Sequence, residues 1–172
     1  MDKILTNQQL ELAAGFIQFT NRHVYLTGKA GTGKTTFLKN LSNITSKHHV
    51  VVAPTGVAAI NAGGVTIHSF FQLSFGPQLP EAALEVLASN PQAEQPAYEA
   101  RYQRFTREKI RLIKRIDLLV IDEISMVRAD LLDAIDRVLR RFRRRDLPFG
   151  GVQLLMIGDI QQLAPVAREE EW

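Results

Sequence analysis

GKAGTGKTT, residues 28–36, is the stretch of this 172-residue chain that says most about its fold. It contains the pattern G-x4-G-K-[ST], in which glycines let successive backbone N–H groups turn towards one anion. An apolar stretch over residues 23–27 precedes it, and an amphipathic helical pattern over residues 37–44 follows it. A strand, a glycine-rich loop and a helix in this order predict a loop that binds the phosphates of a nucleoside triphosphate at a helix N-terminus.

Two side chains of this loop have specific roles in phosphate chemistry. Lys34 supplies a mobile positive charge for the β- and γ-phosphates, and the Thr35 hydroxyl is a suitable ligand for Mg2+. The other residues offer backbone N–H groups or hydroxyls to the phosphates. The predicted nucleotide-binding residues of the loop are Gly28, Ala30, Gly31, Thr32, Gly33, Lys34, Thr35 and Thr36.

Four apolar stretches predict strands, at residues 23–27, 49–53, 118–121 and 152–157. They are continuously apolar instead of alternating, which is typical of a parallel sheet covered by helices on both faces. Helical patterns separate them, most clearly over residues 129–144. The predicted fold class is therefore α/β, an open and mainly parallel sheet flanked by helices.

Residues 76–105 depart from this pattern because they contain four of the seven prolines and a polar stretch. We interpret them as a surface insertion with one short helix over residues 80–88. The rest of residues 1–172 reads as one domain.

Two adjacent carboxyl groups, Asp122 and Glu123, follow the predicted strand of residues 118–121. A side chain at the carboxyl end of a parallel strand points into the crevice where ligands bind, so Asp122 is predicted to hold Mg2+. Glu123 is then placed to act as the general base that activates water, which is a hydrolase arrangement. The alternative is a solvated pair that caps the next helix at Ser125.

Composition excludes several classes of protein. The chain has no cysteine, which rules out disulfide frameworks, thiolate zinc sites and cysteine nucleophiles. Its apolar stretches are strand-sized and no secretory signal is visible, so we expect no membrane span and a cytoplasmic location, or the nucleus or mitochondrion in a eukaryote. The guanine-reading motif N-K-x-D is absent, which favours adenine.

The net charge of +3 depends on a cluster of arginines at positions 140, 141, 143, 144 and 145, without which the balance is −2. The cluster ends the predicted helix of residues 129–144, and we interpret it as a solvated helix end near the C-terminal dipole. It does not by itself predict nucleic-acid binding.

Two further segments follow predicted strands and carry polar side chains. In the segment of residues 53–71, hydroxyl, imidazole and backbone N–H groups are suited to phosphate contacts, and Phe70 or Phe71 either stacks on a base or belongs to the core. In GDIQQLAP, residues 158–165, the Gln162 amide is suited to touch the γ-phosphate and report the nucleotide state. The candidate nucleic-acid contacts of the first segment are Thr55, Gly56, Thr66, His68 and Ser69.

Taken in order, GKAGTGKTT, APTGVAAINAGGVTIHSFF, IDEISMV and GDIQQLAPV resemble the N-terminal motor domain of superfamily 1 DNA helicases of the PIF (petite integration frequency) branch. The resemblance covers nearly the whole chain outside residues 76–105. It implies a RecA-like P-loop NTPase lobe that uses ATP and Mg2+, with Lys34, Asp122, Glu123 and Gln162 as catalytic residues.

The resemblance also implies contacts that the residues alone do not predict. LTNQQ, residues 5–9, is similar to the family's glutamine motif, so Gln9 would hydrogen-bond adenine. The candidate nucleic-acid contacts would line a path for single-stranded DNA. A small DNA-contacting element would follow His68, around residues 70–75.

Helicases of this branch place ATP between two RecA-like lobes, and the resemblance implies that this chain is the first lobe only, a monomer whose missing partner is the second lobe. The full-length protein would couple ATP hydrolysis to 5′-to-3′ movement on single-stranded DNA in repair, recombination and telomere maintenance. The alternatives are a self-contained P-loop ATPase and a nucleotide-gated DNA-binding module without catalysis.

Overall fold

The computed structural model describes residues 7–29, 31–79, 105–159 and 161–162, and five strands within them form one parallel sheet. The strands are β1 (Val24–Thr27), β2 (His49–Ala53), β3 (Val65–Thr66), β4 (Leu118–Ile121) and β5 (Gln153–Gly158). Their order in the sheet is β1-β5-β4-β2-β3. The predicted parallel sheet is confirmed, and the short edge strand β3 is an addition to it.

Helices connect the strands. Those described are α1 (Gln8–Phe19), α2 (Lys34–Lys39), α3 (Leu41–Ile44), α4 (Gly56–Ala62), α5 (Ile67–Phe71), α6 (Arg107–Arg115) and α7 (Ala129–Phe142). Two 3-10 turns follow β4 and α7, at Ile124–Met126 and Pro148–Gly151. None of the helices in the described ranges is long and apolar enough to cross a membrane.

The single helix predicted over residues 37–44 is wrong in one respect, because it is two helices that meet at Asn40. The Asn40 backbone leaves helical geometry at φ −94° and ψ 6°, and its side-chain amide donates to the Thr36 carbonyl oxygen over 2.8 Å. Asparagine favours such local bonds to the backbone over a regular helix, which explains the break.

Strand β4 lies at the centre of the core, and all four of its residues are buried. Leu119 and Ile121 pack into a cluster with residues of α5, α6 and α7, whereas Leu118 and Val120 pack with α1 and α2 on the other face. Successive strand residues point to opposite faces, so a continuously apolar strand needs helices on both. The apolar strand pattern in the sequence has this cause.

The predicted insertion begins with an anchored segment. The backbone N–H of Gln78 donates to a carboxylate oxygen of Asp130 in the first turn of α7, over 2.7 Å. The Arg128 guanidinium donates to the other oxygen of that carboxylate over 2.9 Å. The short helix predicted over residues 80–88 lies outside the described residues.

Candidate functional site

The backbone of the loop between β1 and α2 wraps around the ammonium group of Lys34. The Lys34 ammonium donates to the carbonyl oxygen of Lys29 over 2.9 Å and also to that of Gly28. The Thr32 hydroxyl donates to the same Lys29 oxygen over 2.9 Å. These bonds close the loop and place the one cationic side chain with a predicted phosphate role inside it.

Two glycines of the loop adopt backbone angles that other residues avoid. Gly31 has φ +81° and Gly33 has φ +89°, both in the left-handed region that glycine adopts without steric cost. Gly33 immediately precedes α2, and a Cβ at this position would lie 3.3 Å from the Leu10 side chain. Gly33, which the phosphate-loop pattern requires, and Gly31, at one of its variable positions, therefore both have a structural reason to be glycine.

A cavity of about 520 Å3 opens between this loop and the start of α1. Its position beside the loop suits the base and sugar of a nucleotide. It is lined by Asn7, Gln8, Leu10, Gly31, Thr32, Gly33, Thr36 and Phe37.

Some of the predicted nucleotide-binding residues line this cavity and others do not. Gln9 is exposed and does not line it, whereas the adjacent Gln8 does. The backbone N–H of Gln9 donates to the Asn7 side chain over 2.9 Å as part of the N-terminal cap of α1. Thr35 is exposed at the start of α2, and Ala30 lies outside the described residues. A role for Gln9 at adenine therefore stays a prediction, and Gln8 joins it as a candidate.

The sheet order brings the carboxyl pair, Asp122 and Glu123, to the same edge of the sheet as the phosphate loop. Strand β5 lies between β1, which leads into the loop, and β4, which leads into Asp122. Two strand spacings amount to roughly 10 Å, a distance that the phosphates and Mg2+ of one nucleotide can bridge. The residues that follow β5, Asp159 first among them, lie between the two.

Burial and neighbouring charge set the proton affinity of the carboxyl pair. Burial raises the pKa of Asp122, while a hydrogen bond from the Glu123 backbone N–H (3.1 Å) and the charge of Lys34 lower it. Burial also raises the pKa of Glu123, as do the charges of Asp122 and Asp159, against the opposing charge of Lys34. A carboxylate with a raised pKa is a better proton acceptor, which suits Glu123 to general-base chemistry.

The Glu123 backbone is in the left-handed region, at φ 53° and ψ 45°, immediately before the 3-10 turn Ile124–Met126. Its side chain makes no cap hydrogen bond, which disfavours the alternative of a capping pair. Non-glycine residues in this conformation are costly and concentrate at functional sites. The geometry therefore favours the catalytic interpretation of Glu123.

The turn after β5 belongs to the site and includes a residue that the sequence did not single out. A Cβ at Gly158 would lie 2.8 Å from the Ile124 side chain, so glycine lets the turns after β4 and β5 meet. Asp159 follows, and its carboxylate and carbonyl oxygens accept the backbone N–H groups of Gln161 and Gln162 over 3.0 Å each. Gln162 is exposed in this turn. The signal for Asp159 was available, because it follows a strand in the GDIQQ segment.

The donor set at this edge fits Mg2+. The described residues include no group of three or more histidine, aspartate or glutamate side chains that could hold a metal by themselves. Mg2+ in nucleotide sites usually takes one or two protein oxygens and completes its shell with substrate phosphates and water. The Thr35 hydroxyl and the Asp122 carboxylate, whose Oδ1 alone is hydrogen-bonded in the described residues, provide such oxygens.

The candidate DNA contacts gather at the ends of the neighbouring strands β2 and β3, which pair in parallel through Ala53 and Thr66. Thr55 caps α4 by accepting the Ala58 N–H over 3.2 Å, and Thr66 caps α5 by accepting the Ser69 N–H over 3.2 Å. Gly56 and Ser69 are exposed beside these caps. The structure thus brings these residues to one place and gives both threonines a structural role as well.

His68 and the phenylalanines after it divide between surface and core. Phe70 and Phe71 are 5% and 0% exposed, which supports the core interpretation and makes base stacking by either of them wrong. Phe75, the next phenylalanine along the chain, is 88% exposed, and its ring stacks on His68 with centroids 4.7 Å apart. Burial lowers the pKa of His68, and its Nδ1 is buried without a hydrogen-bond partner among the described residues.

Comparison with known proteins shows which family the chain is similar to. The family model for PIF1-like helicases matches residues 5–171. The chain is 41% identical to human ATP-dependent DNA helicase PIF1 over 84% of its length and 35% identical to ATP-dependent DNA helicase RRM3 of Saccharomyces cerevisiae over 98%. It spans 20% and 22% of the length of these two relatives.

Solved structures of Pif1 from Bacteroides resemble this chain in fold and sequence. A complex with ADP-AlF4 matches 97% of the chain with a TM-score of 0.80 and 45% identity. A complex with single-stranded DNA matches 97% with a TM-score of 0.79 and 44% identity. In each case the chain covers 35% of the solved one.

Proposed function

The chain belongs to the PIF1-like helicase family, and we propose that it is the ATP-binding motor lobe of an ATP-dependent 5′-to-3′ DNA helicase. The observation that carries the proposal is the shared sheet edge. The phosphate loop after β1, the carboxyl pair after β4 and the turn after β5 meet there, with the capped helix starts after β2 and β3 beside them. ATP and Mg2+ are the proposed ligands on one side, and single-stranded DNA on the other.

In the proposed hydrolysis, the loop N–H groups and Lys34 hold the β- and γ-phosphates and stabilise the charge that develops during transfer. Mg2+, held by Thr35 and Asp122, supplies further neutralisation of the phosphates when bound. Glu123 accepts a proton from the attacking water. Gln162, in the turn beside these carboxyls, senses the γ-phosphate.

The proposed coupling to DNA follows from the sheet order. Strands β1 and β2 are three positions apart, so the nucleotide and the DNA path are separated by roughly 15 Å along one edge. The turns after β5 and β4 lie between them. We propose that a second RecA-like lobe completes both sites, as in the family that the chain resembles.

Nucleotide binding is tested with the Lys34→Ala variant and a fluorescent ATP analogue in the presence of Mg2+. We expect binding to be lost, because the variant removes the cation that faces the phosphates. The matched control is Lys39→Ala, which removes an exposed lysine from the last turn of the same helix. Equal affinity in the Lys34→Ala variant and the unmodified chain would refute the assignment.

DNA binding is tested with Ser69→Ala, since the Ser69 hydroxyl makes no hydrogen bond within the described residues while its position is exposed. We expect weaker binding of single-stranded DNA with unchanged thermal stability, and a steep loss of affinity with salt. The matched control is Ser42→Ala at an exposed position of α3. Unaltered DNA binding in Ser69→Ala would contradict the proposed path for single-stranded DNA at the ends of β2 and β3. DNA binding by a chain that does not hydrolyse ATP would instead favour a nucleotide-gated DNA-binding module.

A further inference from the structure

Charge is unevenly distributed along the chain. Residues 107–117 and 136–146 together carry eleven lysines and arginines against four acidic residues, whereas all other residues carry ten against fourteen. The first segment is α6 with the two residues after it, and the second is the end of α7 with the turn that follows. The excess of positive charge therefore lies on α6 and on the end of α7 with the turn that follows it.

Part of the arginine cluster on α7 has a structural role, which corrects the expectation of a wholly solvated helix end. The Arg140 guanidinium donates to the Asp136 carboxylate over 2.7 and 2.9 Å. Arg143 donates to the carbonyl oxygens of Ile113, over 3.2 Å, and Lys114 at the end of α6. Burial lowers the pKa of Arg143, as does the neighbouring positive charge of Arg144. Arg143 thus holds the ends of the two helices together.

Four exposed cations beside this junction form a surface that we call the basic edge, made of Lys114, Arg115, Arg144 and Arg145. All four are exposed, and none forms an ion pair with a carboxylate of the described residues. They are brought together by the Arg143 bond to Lys114 across the two helix ends. These like charges in water repel one another, so an anionic ligand would relieve the repulsion.

The basic edge is separate from the proposed ATP and DNA sites. Helix α6 ends at Arg115, just before β4 begins at Leu118, and α7 ends at Phe142 and leads through the 3-10 turn Pro148–Gly151 into β5. The C-termini of both helices therefore lie on the side of the amino ends of the strands. The phosphate loop and the capped helix starts lie at the carboxyl ends. Strand β5 has six residues, which places the two edges roughly 20 Å apart.

We propose that the basic edge binds the phosphate backbone of duplex DNA without regard to sequence. The arginine guanidinium presents a fork of donors that matches phosphate oxygens. A duplex offers one negative charge per roughly 1.7 Å of its axis, which is twice the linear charge density of one of its strands. Single-stranded DNA is usually held by stacking on aromatic side chains, and neither α6 nor α7 exposes one in the described residues.

The test measures binding of a fluorescent duplex of about 20 base pairs over a range of salt concentrations. Arg144→Gln combined with Arg145→Gln should weaken binding and lower the slope of log affinity against log salt by about two, one for each phosphate that the variant no longer neutralises. The matched control is Lys39→Gln combined with Arg107→Gln, which removes the same charge from exposed positions elsewhere and should leave the slope unchanged. Both double variants should keep the affinity of the unmodified chain for the ATP analogue.

Four outcomes would overturn the proposal. The first two are an equal loss of duplex binding in the two double variants and an unchanged slope in Arg144→Gln combined with Arg145→Gln. The third is tighter binding of a glutamate-rich peptide than of the duplex, which would point to an acidic protein partner instead. The fourth is a single strand that binds the basic edge as tightly as the duplex does. Because ATP binding is measured on the same variants, failure here is distinguishable from failure of the proposed ATP site.

Discussion

Glu123 combines an unfavourable backbone conformation with an unfavourable charge environment. Its φ of 53° lies in the left-handed region, and its carboxyl is placed beside Asp122 and within the field of Asp159. Both features cost free energy in the folded state. A residue held this way by its surroundings is pre-organised to take up a proton, and Lys34 limits the cost by its opposite charge.

The pH dependence of ATP hydrolysis should report this environment. The general base must be ionised, so activity falls as pH falls through the raised pKa of Glu123. Asp159→Asn removes one of the charges that raise this pKa and keeps an oxygen for the Gln161 N–H, so the acid limb of kcat should move to lower pH. Steady-state phosphate release at a series of pH values measures the shift.

Two controls make this comparison specific. Asp133→Asn removes a charge from an exposed position of α7 and should leave the acid limb in place. Glu123→Gln should abolish turnover while nucleotide binding persists. An acid limb that stays unchanged in Asp159→Asn would show that Glu123 is not the titrating base.

At the residue scale the sequence singled out the loop, the carboxyl pair, and Thr55 and Thr66 as candidate DNA contacts, because each lies in a segment that follows a predicted strand. The sequence did not predict that Gln8, and not Gln9, lines the cavity. Two neighbouring glutamines on a helix differ only in the direction in which their side chains point. The position of Asp159 after a strand was a signal that the sequence offered, but its effect on the pKa of Glu123 acts across the sheet between residues far apart in sequence. Such a through-space effect has no local pattern.

At the scale of elements, hydrophobic pattern predicted the four long strands because burial on both faces demands apolar residues throughout. The short elements α4, β3 and α5 escaped prediction, since so few residues carry too little periodicity to be recognised. Strand β3 has only two residues, and its pairing with β2 makes it a strand. The break at Asn40 depends on one side-chain hydrogen bond.

Two glycines, one inside α1 and one at the start of α2, should respond oppositely to alanine. Gly15 lies inside α1 with room for a Cβ, so Gly15→Ala should raise the free energy of unfolding by roughly 0.5–1 kcal/mol. Gly33 has φ +89° and a close contact to Leu10, so Gly33→Ala should lower it by about 1–2 kcal/mol or more. Urea unfolding without nucleotide measures both.

The pair serves as its own control, because each variant adds the same methyl group. Stabilisation by both would mean that the loop relaxes to ordinary angles when nucleotide is absent. Destabilisation by both would mean that the α1 backbone near Gly15 is not regular helix.

At the scale of the whole molecule, the proposed chemistry lies at one edge of the sheet and the basic edge lies at the other. Lys34 is the cation whose charge acts on both Asp122 and Glu123. Phosphoryl transfer spreads negative charge over the γ-phosphate oxygens, which one lysine and Mg2+ neutralise only in part. An arginine finger from a neighbouring lobe or subunit supplies the rest in many such enzymes and is worth ~10³ to 10⁵ in rate, about 4 to 7 kcal/mol.

The chain by itself should therefore hydrolyse ATP slowly, and single-stranded DNA should accelerate it little, because among the described residues Lys34 is the cation whose charge acts on the carboxyl pair. Phosphate release with and without DNA measures this, and the Glu123→Gln variant gives the background. Strong DNA-stimulated turnover that disappears in Glu123→Gln would contradict the prediction. It would show that this lobe obtains a second cation for the γ-phosphate, either from its own arginines or from another copy of the chain. The dependence of rate on protein concentration separates the two, since only a contribution from another copy requires association.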